Sequence, residues 1–150
     1  MRVELDSELT PFEVLRTLRE DRAPFALVGA WAGGGAVLGS EPVRVAGAGE
    51  DPFELLDDLP PVAGEEGVGG GWFGYLGYSL GAAVPPPPRP VALPPFALAY
   101  YDHVLRLDAG GRWWFESLGE PDEERLESLR ERLRGPAPAP RPFELGDFAA

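Results

Sequence analysis

Phe96-Ala97-Leu98-Ala99-Tyr100-Tyr101-Asp102-His103-Val104-Leu105-Arg106-Leu107-Asp108, then Ala109-Gly110-Gly111, then Arg112-Trp113-Trp114-Phe115-Glu116-Ser117-Leu118: this stretch decides the fold class. Aromatic and aliphatic side chains fill the first run, making it the longest strand candidate in the chain. The glycine pair turns it back into the second run as a hairpin. Asp122 to Arg134 then reads as an amphipathic helix, with Leu126, Leu129 and Leu133 on one side and mixed charges on the other. The acidic run Glu120, Asp122, Glu123, Glu124 sits before or within its first turn, where negative charge offsets the helix dipole. A cation site is the less economical reading of the same residues.

Upstream, Arg2 to Leu5 alternates as a short strand. Thr10-Pro11-Phe12-Glu13 predicts a helix start, with Thr10 as N-cap, Pro11 in the first turn and Glu13 closing a capping box. Phe12, Leu15 and Leu18 form its expected apolar face, Arg16, Arg19 and Glu20 its wet one, and Pro24 its end. Phe25 to Trp31 reads as a buried strand, Gly33-Gly34-Gly35 as a turn, and Ala36 to Leu38 and Val43 to Val45 as further short strands. Asp51-Pro52-Phe53-Glu54 starts a second helix whose apolar face is Leu55, Leu56 and Leu59, stopped by Pro60-Pro61. Gly69 to Leu80 is a glycine- and aromatic-rich strand, and Pro85 to Pro88 with Pro90 a stiff extended connection. The fold class is α+β, mostly antiparallel sheet with two or three flanking helices.

The chain has 150 residues and a formal charge of −12. That length favours one domain, and the charge argues against nucleic acid or anionic membrane as partners, because phosphate contacts need clustered cations. Leu, Val and Phe supply 39 residues, about a quarter of the chain and above the range expected of disorder. Cys is absent, which removes disulfides, thiolate nucleophiles and zinc–thiolate sites together. Lys, Ile, Asn and Gln are also missing, a skew that reflects base composition as much as design. A charged N-terminus and the lack of any ~20-residue apolar run point to a soluble, cytoplasmic protein.

No catalytic centre stands out. The run Gly69 to Tyr78 lacks the Lys-Ser/Thr of a phosphate loop and does not open a helix, so its glycines read as places where another backbone or ring comes close. His103 is the only histidine. None of Ser7, Ser40, Ser79, Ser117 or Ser128 lies in a nucleophile-elbow context, and His103 reads as a strand residue satisfied by a neighbour. An enzyme holding a metal with carboxylates around His103 is the weakest of the readings. Trp113-Trp114-Phe115 and Trp72-Phe73 alternate across strands, so at least one ring of each group belongs to the core.

Three segments together resemble a known family. Gly70-Gly71-Trp72-Phe73-Gly74-Tyr75-Leu76-Gly77-Tyr78 is similar to the GG-x-x-GY-x-x-Y strand in the N-terminal domain of aminodeoxychorismate synthase component I and anthranilate synthase component I. Pro95-Phe96 through Tyr101-Asp102-His103-Val104 to Asp108 resembles the strand that follows it. Pro24-Phe25-Ala26-Leu27-Val28 lies where the family has an early apolar strand. The resemblance covers most of positions 11 to 118.

The resemblance implies a non-catalytic scaffold or regulatory domain over 1–134, then a Pro-rich linker and lead-in over 135–150. The catalytic chorismate-binding domain, with its Mg2+ site, would lie outside this chain, and a glutamine amidotransferase would be the ammonia-supplying partner. No catalytic residue is carried over. Some members bind tryptophan; by resemblance the pocket positions are Ala30, where the family's Leu-Leu-x-Ser serine would fall, and Gly33, Gly34, Gly35 and Ala36. Loss of that serine, with the WFGYLGY strand, favours the aminodeoxychorismate branch over the anthranilate branch. A stand-alone metabolite- or protein-binding module is the reading from a different class. Its motivation is Phe143, Leu145 and Phe148, apolar residues beyond a linker that need a surface to bury against.

Overall fold

The computed structural model describes residues 1–57, 67–81, 93–120 and 122–142. Its strands are β1 (Arg2–Leu5), β2 (Phe25–Val28), β3 (Gly34–Gly39), β4 (Arg44–Val45), β5 (Gly71–Leu76), β6 (Phe96–Tyr101), β7 (His103–Asp108) and β8 (Trp113–Ser117). Its helices are α1 (Pro11–Leu18), α2 (Pro52–Asp57) and α3 (Glu123–Arg134). Two antiparallel sheets result, one ordered β1-β8-β7-β3-β2 and the other β4-β6-β5. The α+β expectation therefore holds. No described helix is long and apolar enough to cross a membrane.

The run Phe96 to Asp108 is a correction to the single-strand expectation. It breaks at Asp102 and serves both sheets, β6 pairing with β4 and β5, β7 with β3 and β8. Asp is disfavoured inside strands. At the corner its carbonyl accepts from Leu118 N at 2.9 Å, and its carboxylate from Arg125 at 3.3 Å. The hairpin of β7 and β8 stands as read, in the register Leu105↔Phe115 and Leu107↔Trp113.

One face of the larger sheet packs under α1 and α3. Leu5, Leu38, Leu105, Trp113 and Phe115 from the strands meet Val14 and Leu18 of α1 and Leu126, Leu129 and Leu133 of α3. Helix α1 carries the expected capping box: Thr10 Oγ1 accepts from Glu13 N, and Glu13 accepts from Thr10 N. Asp122 caps α3 by accepting from the backbone of Glu124 and Arg125.

Several local expectations are corrected. Phe12 is 63% exposed, and the buried face of α1 runs through Val14 and Leu18. That helix stops at Leu18, well before Pro24, with Arg19 as its C-cap. Strand β2 ends at Val28, only half-buried, and Trp31 stands half-exposed in a 3-10 turn. Gly34 and Gly35 belong to β3 rather than to the turn before it. The strand expected over Gly69 to Leu80 is confined to β5; Tyr78 to Leu80 turn into a second 3-10 segment. Leu59, Pro60-Pro61, the prolines from Pro85 to Pro90, and Phe143, Leu145 and Phe148 lie outside the described residues.

The Pro-rich segment after α3 runs back along α1. Arg16 Nε donates to Pro138 O at 3.0 Å and Arg19 donates to Ala139 O at 3.1 Å. Arg141 pairs with Glu20 beyond them. Proline removes backbone donors and holds the chain extended, leaving carbonyls free to accept from side chains.

Candidate functional site

The smaller sheet and the start of β2 enclose a part-open apolar groove of about 370 Å³. Ala23, Pro24 and Phe25 form one end, Val45 and Ala46 one side, and Phe73, Tyr75 and Phe96 to Ala99 the floor. Phe25 belongs to the larger sheet and stacks on Phe73 of the smaller one, with ring centroids 4.3 Å apart. Tyr101 meets both rings edge-on, at 4.8 and 5.8 Å. Gly39, opposite Phe25 in the β2–β3 register, leaves room for the ring, because a Cβ there would press on it.

Polar chemistry in the groove is sparse. Tyr101 donates its hydroxyl to Ala23 O at 2.6 Å, and Tyr75 donates to Pro94 O at 2.9 Å. Burial pushes the Tyr101 phenol above its usual range, with the charge of Arg22 opposing. Both phenols are occupied, and the described residues lining the groove include no carboxylate, imidazole or amine. Such a surface suits apolar or aromatic groups.

The five positions indicated by the family resemblance lie elsewhere. Ala30 and Gly33 are exposed at the β2–β3 connection, Gly35 is half-buried, and Gly34 and Ala36 are buried. Gly29 N donates to Gly35 O at 2.9 Å, closing the turn on itself. Ala36 points into the helix-covered core, and Gly34 lies against the Leu107 carbonyl. None of the five lines the groove.

His103 is buried, its Nδ1 2.7 Å from Asp102 Oδ1, and its ring stacks on Phe115 at 5.4 Å. Ser117 is its cross-strand partner, so Asp, His and Ser do meet at one corner. The Ser117 hydroxyl, however, donates to Gly119 O at 2.7 Å, and Arg125 of α3 lies 3.4 Å from the imidazole Nδ1. A serine whose proton is already given to a backbone carbonyl is not activated by the imidazole. Among the described residues no cluster of three or more His, Asp or Glu side chains is placed to hold a metal ion.

Compared with protein-family models and with curated proteins, the chain matches none.

One polar cluster escaped the sequence reading. On the sheet face away from the helices, Arg106 Nε donates to Glu116 Oε1 at 2.7 Å, with both side chains buried. Arg2 approaches the same carboxylate at 3.6 Å while its guanidinium lies 3.7 Å above the Trp114 ring. The other oxygen, Oε2, accepts from Val68 N at 2.7 Å and from Gly69 N at 3.4 Å. Glu116 thus ties the segment leading into β5 onto the larger sheet. The available signal was opposite charge at diagonal positions of a hairpin, Arg106 facing Trp114 and Glu116 facing Val104.

At the hairpin tip Asp108 accepts from Arg112 N, Trp114 Nε1 and Gly110 N, all within 2.9 Å. These bonds, the one from Arg112 N foremost, hold its carboxyl down at about 2 from an ordinary 3.8. A depressed carboxylate stabilises the fold above its unfolded value, and that contribution disappears as pH falls from 3.8 through about 2. Carboxyl-carbon NMR should place the Asp108 midpoint near 2, below the ordinary 3.8. A midpoint at the ordinary value would mean the turn is not held by this carboxylate.

Proposed function

We propose that this chain is the non-catalytic N-terminal scaffold domain of an aminodeoxychorismate synthase component I-like enzyme of the cytoplasm. The intact enzyme would convert chorismate and ammonia, released from glutamine by an amidotransferase partner, to 4-amino-4-deoxychorismate for folate synthesis. The observation that carries the reading is the pairing of its two most distinctive segments. Gly71 to Leu76 lies against Phe96 to Tyr101, Gly71 opposite Tyr101 and Leu76 opposite Phe96. The spacing of Gly70, Gly74 and Gly77 acquires a physical reason there: a Cβ at each would run into the backbone at Tyr101, Ala97 or Pro95 respectively. The motif is thus a device for seating one strand flat against another, as suits a scaffold.

Reconstitution tests this. The chain, mixed with a separately produced chorismate-binding catalytic domain and the amidotransferase, is expected to associate and restore chorismate amination. Two folded pieces that neither associate nor aminate chorismate would overturn the reading. Formation of anthranilate instead would move the chain to the tryptophan branch.

The groove favours one second reading, a stand-alone module for an aromatic metabolite. Calorimetric titration with tryptophan, chorismate and 4-aminobenzoate addresses it, and silence with all three removes it.

A further inference from the structure

We infer that the three-stranded sheet is a lid over the apolar groove, hinged where two neighbouring strands pass from one sheet into the other. Strands β3 and β7 pair in the larger sheet; β4, which follows β3, and β6, which precedes β7, pair in the smaller one. Continued by two residues, the register Leu38↔Leu105 brings Ser40 beside His103. The two crossings, Ser40 to Val43 and Asp102, therefore lie side by side and define one bend. Glu41 sits at that bend with a φ of 54°, in the left-handed region that a non-glycine residue rarely occupies. Hinges are built from a few such element-terminal residues, which absorb a change of backbone angle.

The polar ties between the sheets gather at this bend. Asp102 O accepts from Leu118 N, and Tyr101 donates its hydroxyl to Ala23 O. Glu116 holds Val68 and Gly69, just ahead of Gly71, which faces Tyr101. Farther out, no hydrogen bond among the described residues joins Tyr75, Leu76, Phe96 or Ala97 to the larger sheet. Exposure follows the same gradient: Gly71, Trp72 and Phe73 are half-buried, whereas Gly74, Tyr75 and Leu76 are exposed. The buried cluster under the helices includes no residue of β4, β5 or β6, so a swing of the smaller sheet leaves that core intact. The contact that closes the lid is the stack of Phe73 on Phe25. Leu76 lies about 17 Å along the strand from Gly71, so a swing of about 15° carries it about 4 Å and widens the groove. The inference does not rest on the proposed function; it concerns how this domain moves in any enzyme or module that contains it.

The absence of cysteine makes the test clean. In the full chain, nitroxide pairs are placed at Leu76→Cys with Ala109→Cys, across the sheets, and at Glu4→Cys with Ala109→Cys, within the larger one. All three positions are exposed. Pulsed electron–electron resonance then reads both distance distributions. The cross-sheet distribution is expected to be roughly twice as wide as the reference one. Adding Phe73→Ala should move it by several ångströms and leave the reference pair unchanged. Equal widths would overturn the inference, as would a cross-sheet distribution that Phe73→Ala leaves in place. Hydrogen exchange separates a swing from unravelling, because the amides of the β5–β6 ladder should stay protected in Phe73→Ala. Loss of that protection would mean that the strands come apart, and it would overturn the hinge too. The parent chain's two widths already decide between a lid and a fixed wall, so the result does not depend on how the alanine variant folds.

Discussion

Trp113→Ala should cost about 3–5 kcal/mol of unfolding free energy, because it removes a large buried ring and leaves a cavity that the sheet cannot close. Trp113 is 1% exposed, opposite Leu5 and Leu107 in the sheet and in one core cluster with the leucines of α3. Its indole Nε1 also donates to Leu9 O at 2.8 Å, fixing the segment that leads into α1. Deleting the ring therefore loses apolar burial and orphans a carbonyl in one step. For a domain of this size each kcal/mol shifts Tm by about 2–4 °C, so a fall of roughly 6–20 °C is expected. Trp113→Phe, which keeps most of the volume and loses the N–H, should fall by a few degrees only. Urea denaturation of the three proteins decides it, and an alanine variant within about 1 kcal/mol of the parent would contradict this description of the core.

Glu116→Ala should be comparably damaging, by about 3–5 kcal/mol, for an electrostatic reason. The substitution strands the buried guanidinium of Arg106 and leaves the Val68 and Gly69 N–H groups without their acceptor. The double variant Arg106→Met, Glu116→Leu removes both charges and fills the space, and it should recover much of the loss. Hydrogen exchange separates this from a general weakening. In Glu116→Ala the amides of Val68 and Gly69 should lose protection first, before those of β7 and β8. If the double variant is no more stable than Glu116→Ala, the loss does not come from the stranded charge.

Some elements were legible in the sequence because their causes are local. Thr10 and Glu13 satisfy each other across one helical turn, Asp122 accepts from the backbone of Glu124 and Arg125, and Ala109-Gly110-Gly111 returns one strand onto another. The leucines at 126, 129 and 133 announce the buried face of α3 by spacing alone. What stayed hidden depends on partners distant in the chain. Phe12 and Val14 both fit an amphipathic pattern; only the position of the sheet decides that Val14 is buried and Phe12 exposed. The break at Asp102 had one local sign, a charged residue amid aromatic and aliphatic ones, but alternation does not say which sheet a strand joins. The groove is assembled from residues near positions 24, 45, 73 and 97, and no window of sequence displays it. The pocket positions suggested by resemblance carry no polar side chain, so nothing in the structure singles them out.

The pairing of β1 with β8 has a consequence for how the protein is made. Arg2 sits opposite Glu116, and the N-terminal amine donates to Ser117 O at 2.7 Å. A ribosome adding about 5–20 residues per second needs on the order of 6–20 s to deliver β8 after β1 has been synthesised. Throughout that interval the first strand is a nascent peptide with no partner, carrying Val3 and Leu5 toward a layer that does not yet exist. Arg2 and Glu4 flank those apolar residues, and charges so placed keep a waiting strand from pairing with its neighbours on a crowded polysome.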